Sequence, residues 1–281
     1  MASTSDTAVR IIRPPDFSPL RIVRQLWQLA DYWDLLLTLS LHRVKVRYSQ
    51  SALGLGWALA QPVALMLIYT VIFSVVTRMP SEGVPYAVFV FAALLPWTLF
   101  ATAMGSASNS LVSHNYLITK VYFPREILPL TYLVVAFFDF LVASSVLAIL
   151  MVWYKIVPSV QIFWAIPTII VALVFVLGLS LALSSLQVNF RDIGLAIPLL
   201  LQIWMFATPV VYPLTAVPEK YRMWYICNPM VGVVENFRRA VLQGLPPDMP
   251  SLAVGAGVSA VLLPLAFAFF KHREATIADV I

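Results

Sequence analysis

Arg43, Lys45, Arg47 and Tyr48 gather three cations and a phenol in one short stretch. That set suits phosphate or pyrophosphate oxygens, which guanidinium forks bind bidentately. On a helix Arg43 and Arg47 share a face and Lys45 points away. All three therefore converge on one head group only if the helix ends near Val46. Basic side chains that snorkel to ordinary anionic lipid explain the cluster equally well. Asp139 breaks an otherwise uncharged run, 127–154, and an ionised carboxylate in a bilayer costs roughly 3 kcal/mol or more. It is expected to act as a neutral packing group, hydrogen-bonded to a neighbour such as Ser144 or Gln202, because no basic residue lies at matching depth; lining a polar pathway is the alternative. Catalysis finds little support. His42, His114 and His272 stand apart near the ends of apolar runs, and no carboxylate pair or nucleophile with a base assembles. The single cysteine, Cys227, has no disulfide partner and no Cys or His neighbours for a metal. No cofactor is expected in this chain.

The elements that must position these residues are set by composition. The 281 residues are 61% hydrophobic and 11% charged, against roughly 25% charged in a soluble domain, so the expected fold is an all-α integral membrane protein. Uncharged runs long enough for hydrocarbon roughly 30 Å thick place six spans near 57–77, 86–111, 128–153, 161–186, 195–212 and 251–270. They lack the period-2 alternation of barrel strands. An even count puts both termini on one side. The segment 1–56 holds seven Lys and Arg, and with Lys120, Arg125, Arg191, Lys271 and Arg273 that side has twelve against six outside. The positive-inside rule makes it cytoplasmic. No signal peptide is expected.

Residues 1–18 read as a mobile cytoplasmic tail, 19–48 as an amphipathic helix at the membrane surface with Leu26, Ala30, Trp33, Leu37, Leu41 and Val44 on its apolar stripe, and 49–281 as the transmembrane domain. The stretch 213–250 is too apolar for solvent and too interrupted to span. It reads as a re-entrant or interfacial helical hairpin, with Pro218 and Asn228–Pro229 as helix starts and Gly244 as a stop. Within it Glu235 stands at pairing distance from Arg238 and Arg239.

Four separated motifs, at 53–62 (LGLGWALAQP), 115–125 (NYLITKVYFPR), 189–192 (NFRD) and 228–238 (Asn228-Pro229-Met230 through Glu235-Asn-Phe-Arg238), resemble in their order the membrane subunit of bacterial polysaccharide ABC exporters, the permeases for O-antigen, teichoic acid and capsule. The resemblance covers roughly residues 35–271. It implies a homodimer of six-helix subunits in the inner membrane, driven by two copies of a cytoplasmic ATPase that binds ATP and Mg, moving a polyprenyl- or lipid-linked glycan outward. No G-x-x-x-x-G-K-[ST] loop occurs in the chain, so energy must come from the partner. Membrane lipids are the other expected partners, and nucleic acid is not expected.

The resemblance also makes Asn115, Tyr116, Lys120, Tyr122 and Arg125 a coupling helix that seats in the ATPase, where the plain alternative is a connector whose charges fix topology. It places the lipid head group at Arg43–Tyr48. Aromatic rings that stack on sugars along a conduit are sought among Tyr69, Phe73, Trp97, Phe100, Trp204 and Tyr212, although interfacial belts and lipid contacts use the same residue types. Two rivals remain: an exporter of drugs or small lipids with the same architecture, and a membrane-embedded glycosyl- or phosphotransferase, which needs clustered acidic residues that the sequence scatters.

Overall fold

A computed structural model describes residues 29–49 and 51–280, with side chains to residue 274. The expected tail 1–18 and the first part of the 19–48 segment lie outside the described residues. Helices carry the whole fold, and no strand occurs among the described residues. In chain order they are α1 (Trp33–Ser49), α2 (Gly56–Tyr69, continued by a π-helical turn Thr70–Val76), α3 (Tyr86–Ser108), α4 (Ser110–Ser113), α5 (Asn115–Lys120), α6 (Ile127–Trp153), α7 (Ala165–Asn189), α8 (Asp192–Phe206), α9 (Glu219–Ile226), α10 (Pro229–Arg238, continued by a π-helical turn Arg239–Gln243) and α11 (Met249–Val280).

Five helical stretches are long and apolar enough to cross a membrane: Gly56–Val76, Tyr86–Ser108, Ile127–Trp153, Val160–Asn189 and Met249–Glu274. The expected span at 195–212 is different. Helix α8 has 15 residues, roughly 22 Å of rise, and stops short of the hydrocarbon thickness. Its end follows from Thr208-Pro209, because a residue before proline is driven out of the helical region. Beyond it the chain turns, with Tyr212 Oη donating to the Phe206 carbonyl at 2.7 Å.

The sequence of α3 is apolar on every side, and such a helix must be surrounded. It is the central strut, 78% buried over its apolar window, whereas the window of α2 is 11% buried. The described residues therefore leave most of the surface of helix α2 uncovered. Around α3 the main core joins Phe89, Phe91, Leu94 and Phe100 to Phe140, Phe175, Val233 and Phe237. A second cluster at one end of the bundle, with Leu36, Leu111, Ile118, Phe123, Ile127 and Phe270, gathers α1, α4, α5, α6 and α11. That end carries the basic cluster.

At the opposite end α10 is buried along its whole length. Asn228 caps it by accepting from the Met230 amide at 3.1 Å, and Gly244, at φ 63°, ends the helical path in the left-handed region. Gly232 lets α10 approach α11 closely: a β-carbon there would stand 2.4 Å from the Ser251 carbonyl oxygen.

Candidate functional site

Helix α1 lies beside α6 and runs in the same direction. Leu39, Arg43 and Val46 face Leu128, Thr131 and Tyr132 across a cleft of about 300 Å³, and Arg47 and Tyr48 reach Asp139 further along. The packed face of α1 carries Leu36, Ser40 and Tyr48. Trp33 and Leu41 of the expected apolar stripe are exposed.

Asp139 does not pair with Ser144 or Gln202, the neighbours expected from sequence. Its Oδ2 accepts from Arg47 Nη1 at 2.8 Å, and its Oδ1 accepts from Tyr48 Oη at 2.6 Å. The proposed neighbours are engaged elsewhere: Ser144 Oγ donates to the Phe140 carbonyl at 2.7 Å, and Gln202 is exposed on α8. The basic partner at matching depth was missed because it comes from 92 positions away. With carboxylate and guanidinium 16% and 45% exposed, the pair is half solvated. Burial, then the bond to the carboxylate, holds the Tyr48 phenol above its ordinary pKa.

Arg43 has a separate set of partners. Its guanidinium lies 4.4 Å from the centre of the Tyr132 ring and meets His114 Nε2 at close range. His114 Nδ1 lies 2.7 Å from the Ser110 carbonyl oxygen, which fixes the tautomer: Nδ1 donates and Nε2 accepts from Arg43. Burial lowers the His114 pKa, the Ser110 carbonyl partly offsets that, and the Arg43 charge lowers it further. Lys45 is exposed and joins neither group. The basic triplet is thus divided: Arg43 on the Tyr132–His114 side, Arg47 on Asp139, Lys45 outward.

The 115–125 segment is a short helix and an extended exit. Ile118 and Phe123 are buried in the second core cluster, while Tyr116 and Tyr122 are 75% and 98% exposed. Asn115 Oδ1 accepts from the Tyr116 amide at 2.6 Å, and Lys120 lies 6.0 Å from the Tyr116 ring. The base of the segment is tied to α11. Arg125 donates to the Glu274 carbonyl, and Lys271 Nζ bridges Glu126 at 2.8 Å and Glu274 at 2.9 Å. Burial raises the Glu126 pKa against the opposing pull of Lys271. The Lys271–Glu274 spacing was visible in the sequence as a helical pair; the link to Glu126 was not.

The six aromatic candidates fall into three groups. Phe100 is completely enclosed and Trp97 is 4% exposed. With Phe175 and Trp204 they form a packed cluster, Phe100 lying 5.1 Å from Trp204 edge-on and 5.8 Å from Phe175 in a stack. In this arrangement neither Trp97 nor Phe100 offers a face to a passing sugar. Trp204, half-buried, donates through Nε1 to Asn228 Oδ1 at 3.1 Å. Tyr69 and Phe73 meet edge-on at 6.2 Å, with Tyr69 Oη 3.6 Å from the Met205 sulfur. Tyr212 lies 3.3 Å from the Tyr225 hydroxyl.

Glu235 and Arg238 do pair, at 3.3 Å. Arg238 is entirely buried: Nη2 donates to the Pro209 carbonyl at 2.8 Å and the Val210 carbonyl at 3.3 Å, and the guanidinium lies 3.8 Å from the Phe89 ring centre. The hairpin is thereby fastened to α3 and to the turn after α8.

A bundle of apolar helices, five of them long enough to cross a membrane, with exposed tyrosines at its basic end, defines a polytopic membrane protein. Residues 35–242 match the ABC-2 type transporter family, and the chain belongs to that family. It is 32% identical over 262 residues to the O-antigen export system permease protein RfbA of Myxococcus xanthus, covering 92% of this chain and 99% of that one. A protein of the same description from Klebsiella pneumoniae is 29% identical over 91% of this chain and 99% of its own. The polysialic acid transport protein KpsM of Escherichia coli is 25% identical over 84% and 92%.

Proposed function

We propose that this chain is the channel-forming subunit of an ABC transporter that exports a lipid-linked polysaccharide across the bacterial inner membrane, as a homodimer powered by two copies of a separate ATPase. The observation that carries this reading is similarity to O-antigen export permeases over nearly the full length of both chains. The geometry supports it at three places. Tyr116 and Tyr122 project from a segment whose base is bonded to α11, an arrangement suited to passing motion from a docked ATPase into the bundle. Arg43 lines a cleft at the same end, where a phosphate head group from the cytoplasmic leaflet can be met. Tyr69, Phe73 and Tyr212 keep ring surface accessible for sugar contact, and the sparsely covered α2 is suited to facing a second copy. Six crossings, the fifth made by α8 together with the turn that follows it, and both termini cytoplasmic, remain our reading of the topology.

The test is surface polysaccharide in cells lacking the chain, complemented with wild type or with Arg43→Ala plus Arg47→Ala. Wild type restores the polymer, and the double variant, at equal protein level, does not. Restored export by the double variant removes the head-group role. Glycosyl- or phosphotransferase activity of the purified chain without an ATPase overturns the export reading itself.

A further inference from the structure

Arg47 and Tyr48 from α1, with Gln61 of α2 and Thr102 of α3, line a cavity of about 90 Å³ that also contains Asp139, with Trp57 at its rim. Thr98 lines it as well, but its hydroxyl turns back to the Leu95 carbonyl at 3.1 Å. A guanidinium, a phenol, a carboxamide and a hydroxyl facing one small space are a donor set for an oxyanion. The chain fills that set with its own anion: both carboxylate oxygens of Asp139 are taken, one by Arg47 at 2.8 Å and one by Tyr48 at 2.6 Å. The cavity holds a few waters or one phosphate-sized group, and it is too small for a sugar ring together with its phosphate. Arg47, at 45% side-chain exposure, can swing away from Asp139 without crossing packed core.

We propose that Asp139 is an internal stand-in for the phosphate of a lipid-linked substrate: it holds Arg47 and Tyr48 when the site is empty and is displaced when a phosphate monoester or pyrophosphate on a polyprenyl chain takes those donors. The proposal rests on the export reading for its ligand class. It assigns Asp139, Gln61 and Thr102 to recognition and gives the intramembrane charge of Asp139 a purpose, since the same carboxylate keeps Arg47 ordered and sets a threshold that an anionic phospholipid must also overcome. Exchange of one oxyanion for another at Arg47 neither makes nor breaks a covalent bond.

Because the ligand competes with a bond already made, removing the competitor should tighten binding. Binding of a fluorescent short-chain prenyl phosphate to the full-length protein in neutral-lipid nanodiscs measures this, with prenol, inorganic phosphate and phosphatidylglycerol as the other arms. The expected result for Asp139→Asn is an affinity for prenyl phosphate higher by about three- to tenfold, the range a half-exposed ion pair and one hydrogen bond supply. Prenol binding should not change, and Arg47→Gln should weaken prenyl phosphate binding. Tightening toward inorganic phosphate alone would identify a free-anion site and overturn the lipid-linked assignment; an affinity of the unsubstituted protein for phosphatidylglycerol equal to that for prenyl phosphate would do the same. Unchanged or weaker prenyl phosphate binding by Asp139→Asn would leave Asp139 a structural ion-pair partner only. The unsubstituted protein provides a second readout that needs no variant: in infrared difference spectra with labelled aspartate, prenyl phosphate should shift a carboxylate band and prenol should not. No shift overturns the displacement. Failure of these binding outcomes while the wild-type chain still restores surface polysaccharide defeats this proposal and leaves the export reading intact; loss of that complementation defeats the export reading.

Discussion

Two side chains show how much single residues decide here. Arg238 has no solvent contact, and its worth lies in the groups it satisfies: two backbone carbonyls, the Glu235 carboxylate and the Phe89 ring face. Removing one partner of a buried charge pair leaves the other uncompensated, which costs about 3–5 kcal/mol. Arg238→Met should therefore lower the melting temperature of the detergent-solubilised protein sharply, and adding Glu235→Gln should restore part of the loss. His114 is the complementary case. Burial and the nearby Arg43 charge hold its folded pKa below the ordinary value near 6.5. As pH falls from about 6.5 through the folded value, the unfolded chain takes up the proton first, so folded stability declines across that window and is unaffected above it. Melting temperatures at pH 8 and pH 5.5 should separate for wild type and separate less for His114→Gln.

Elements are positioned by where helices can approach and by what holds their ends. Helices α10 and α11 pack so closely at Gly232 that any side chain there collides with the Ser251 carbonyl. Gly232→Ala should destabilise by about 1–3 kcal/mol through overpacking, read as a lower melting temperature. Around that contact Asn236 Nδ2 donates to Ser251 Oγ at 3.0 Å, and its Oδ1 accepts from the Asp248 amide at 2.6 Å, so the hairpin loses alignment as well as packing. The 115–125 segment predicts the opposite pattern. Tyr116 and Tyr122 face outward, and exposed substitutions shift stability by only about 0.5 kcal/mol. Tyr116→Ala plus Tyr122→Ala should keep the wild-type melting temperature and yet lower surface polysaccharide in complemented cells.

At the scale of the whole molecule, the proposed orientation sends the hairpin end outward. The basic cluster, the 115–125 segment and the Lys271–Glu274 end of α11 share one end through the second core cluster and its ion pairs. The opposite end carries the hairpin, where Glu82 accepts from Thr215 at 3.1 Å. Cys227 is exposed at the hairpin and is the only cysteine in the chain. A membrane-impermeant maleimide should label it in intact cells when the outer barrier is made permeable, before the inner membrane is opened. Labelling that appears only after the inner membrane is breached reverses the assigned orientation.

Much of this was legible without coordinates, for reasons that lie in particular residues. Uncharged runs report their solvent directly, so the spans and the all-helical class follow from composition. Capping chemistry is local, so Asn228-Pro229 and Gly244 mark the ends of α10 and its continuation correctly. A glutamate three residues before an arginine is within pairing reach on a helix, and Glu235 and Arg238 do pair. Length alone set the end of the fifth run too late, because the apolar stretch continues through Pro209 and Pro213 after the helix has stopped at Phe206.

What sequence left open depended on contacts between segments far apart in the chain. Hydropathy cannot tell a helix face that meets protein from one that meets lipid, so Trp97 and Phe100 looked available and are enclosed. The partner of Asp139 lies on α1, and only the packing of α1 along α6 brings Arg47 to it. Spacing placed Arg43 and Arg47 on one face; the fold gave them different partners, because α6 offers an aromatic ring at Tyr132 and a carboxylate at Asp139. Local chemistry wrote the helices, their ends and the bilayer they need. Which charges meet was decided by tertiary packing, since electrostatic pairing depends on distance in space and the sequence records only distance along the chain.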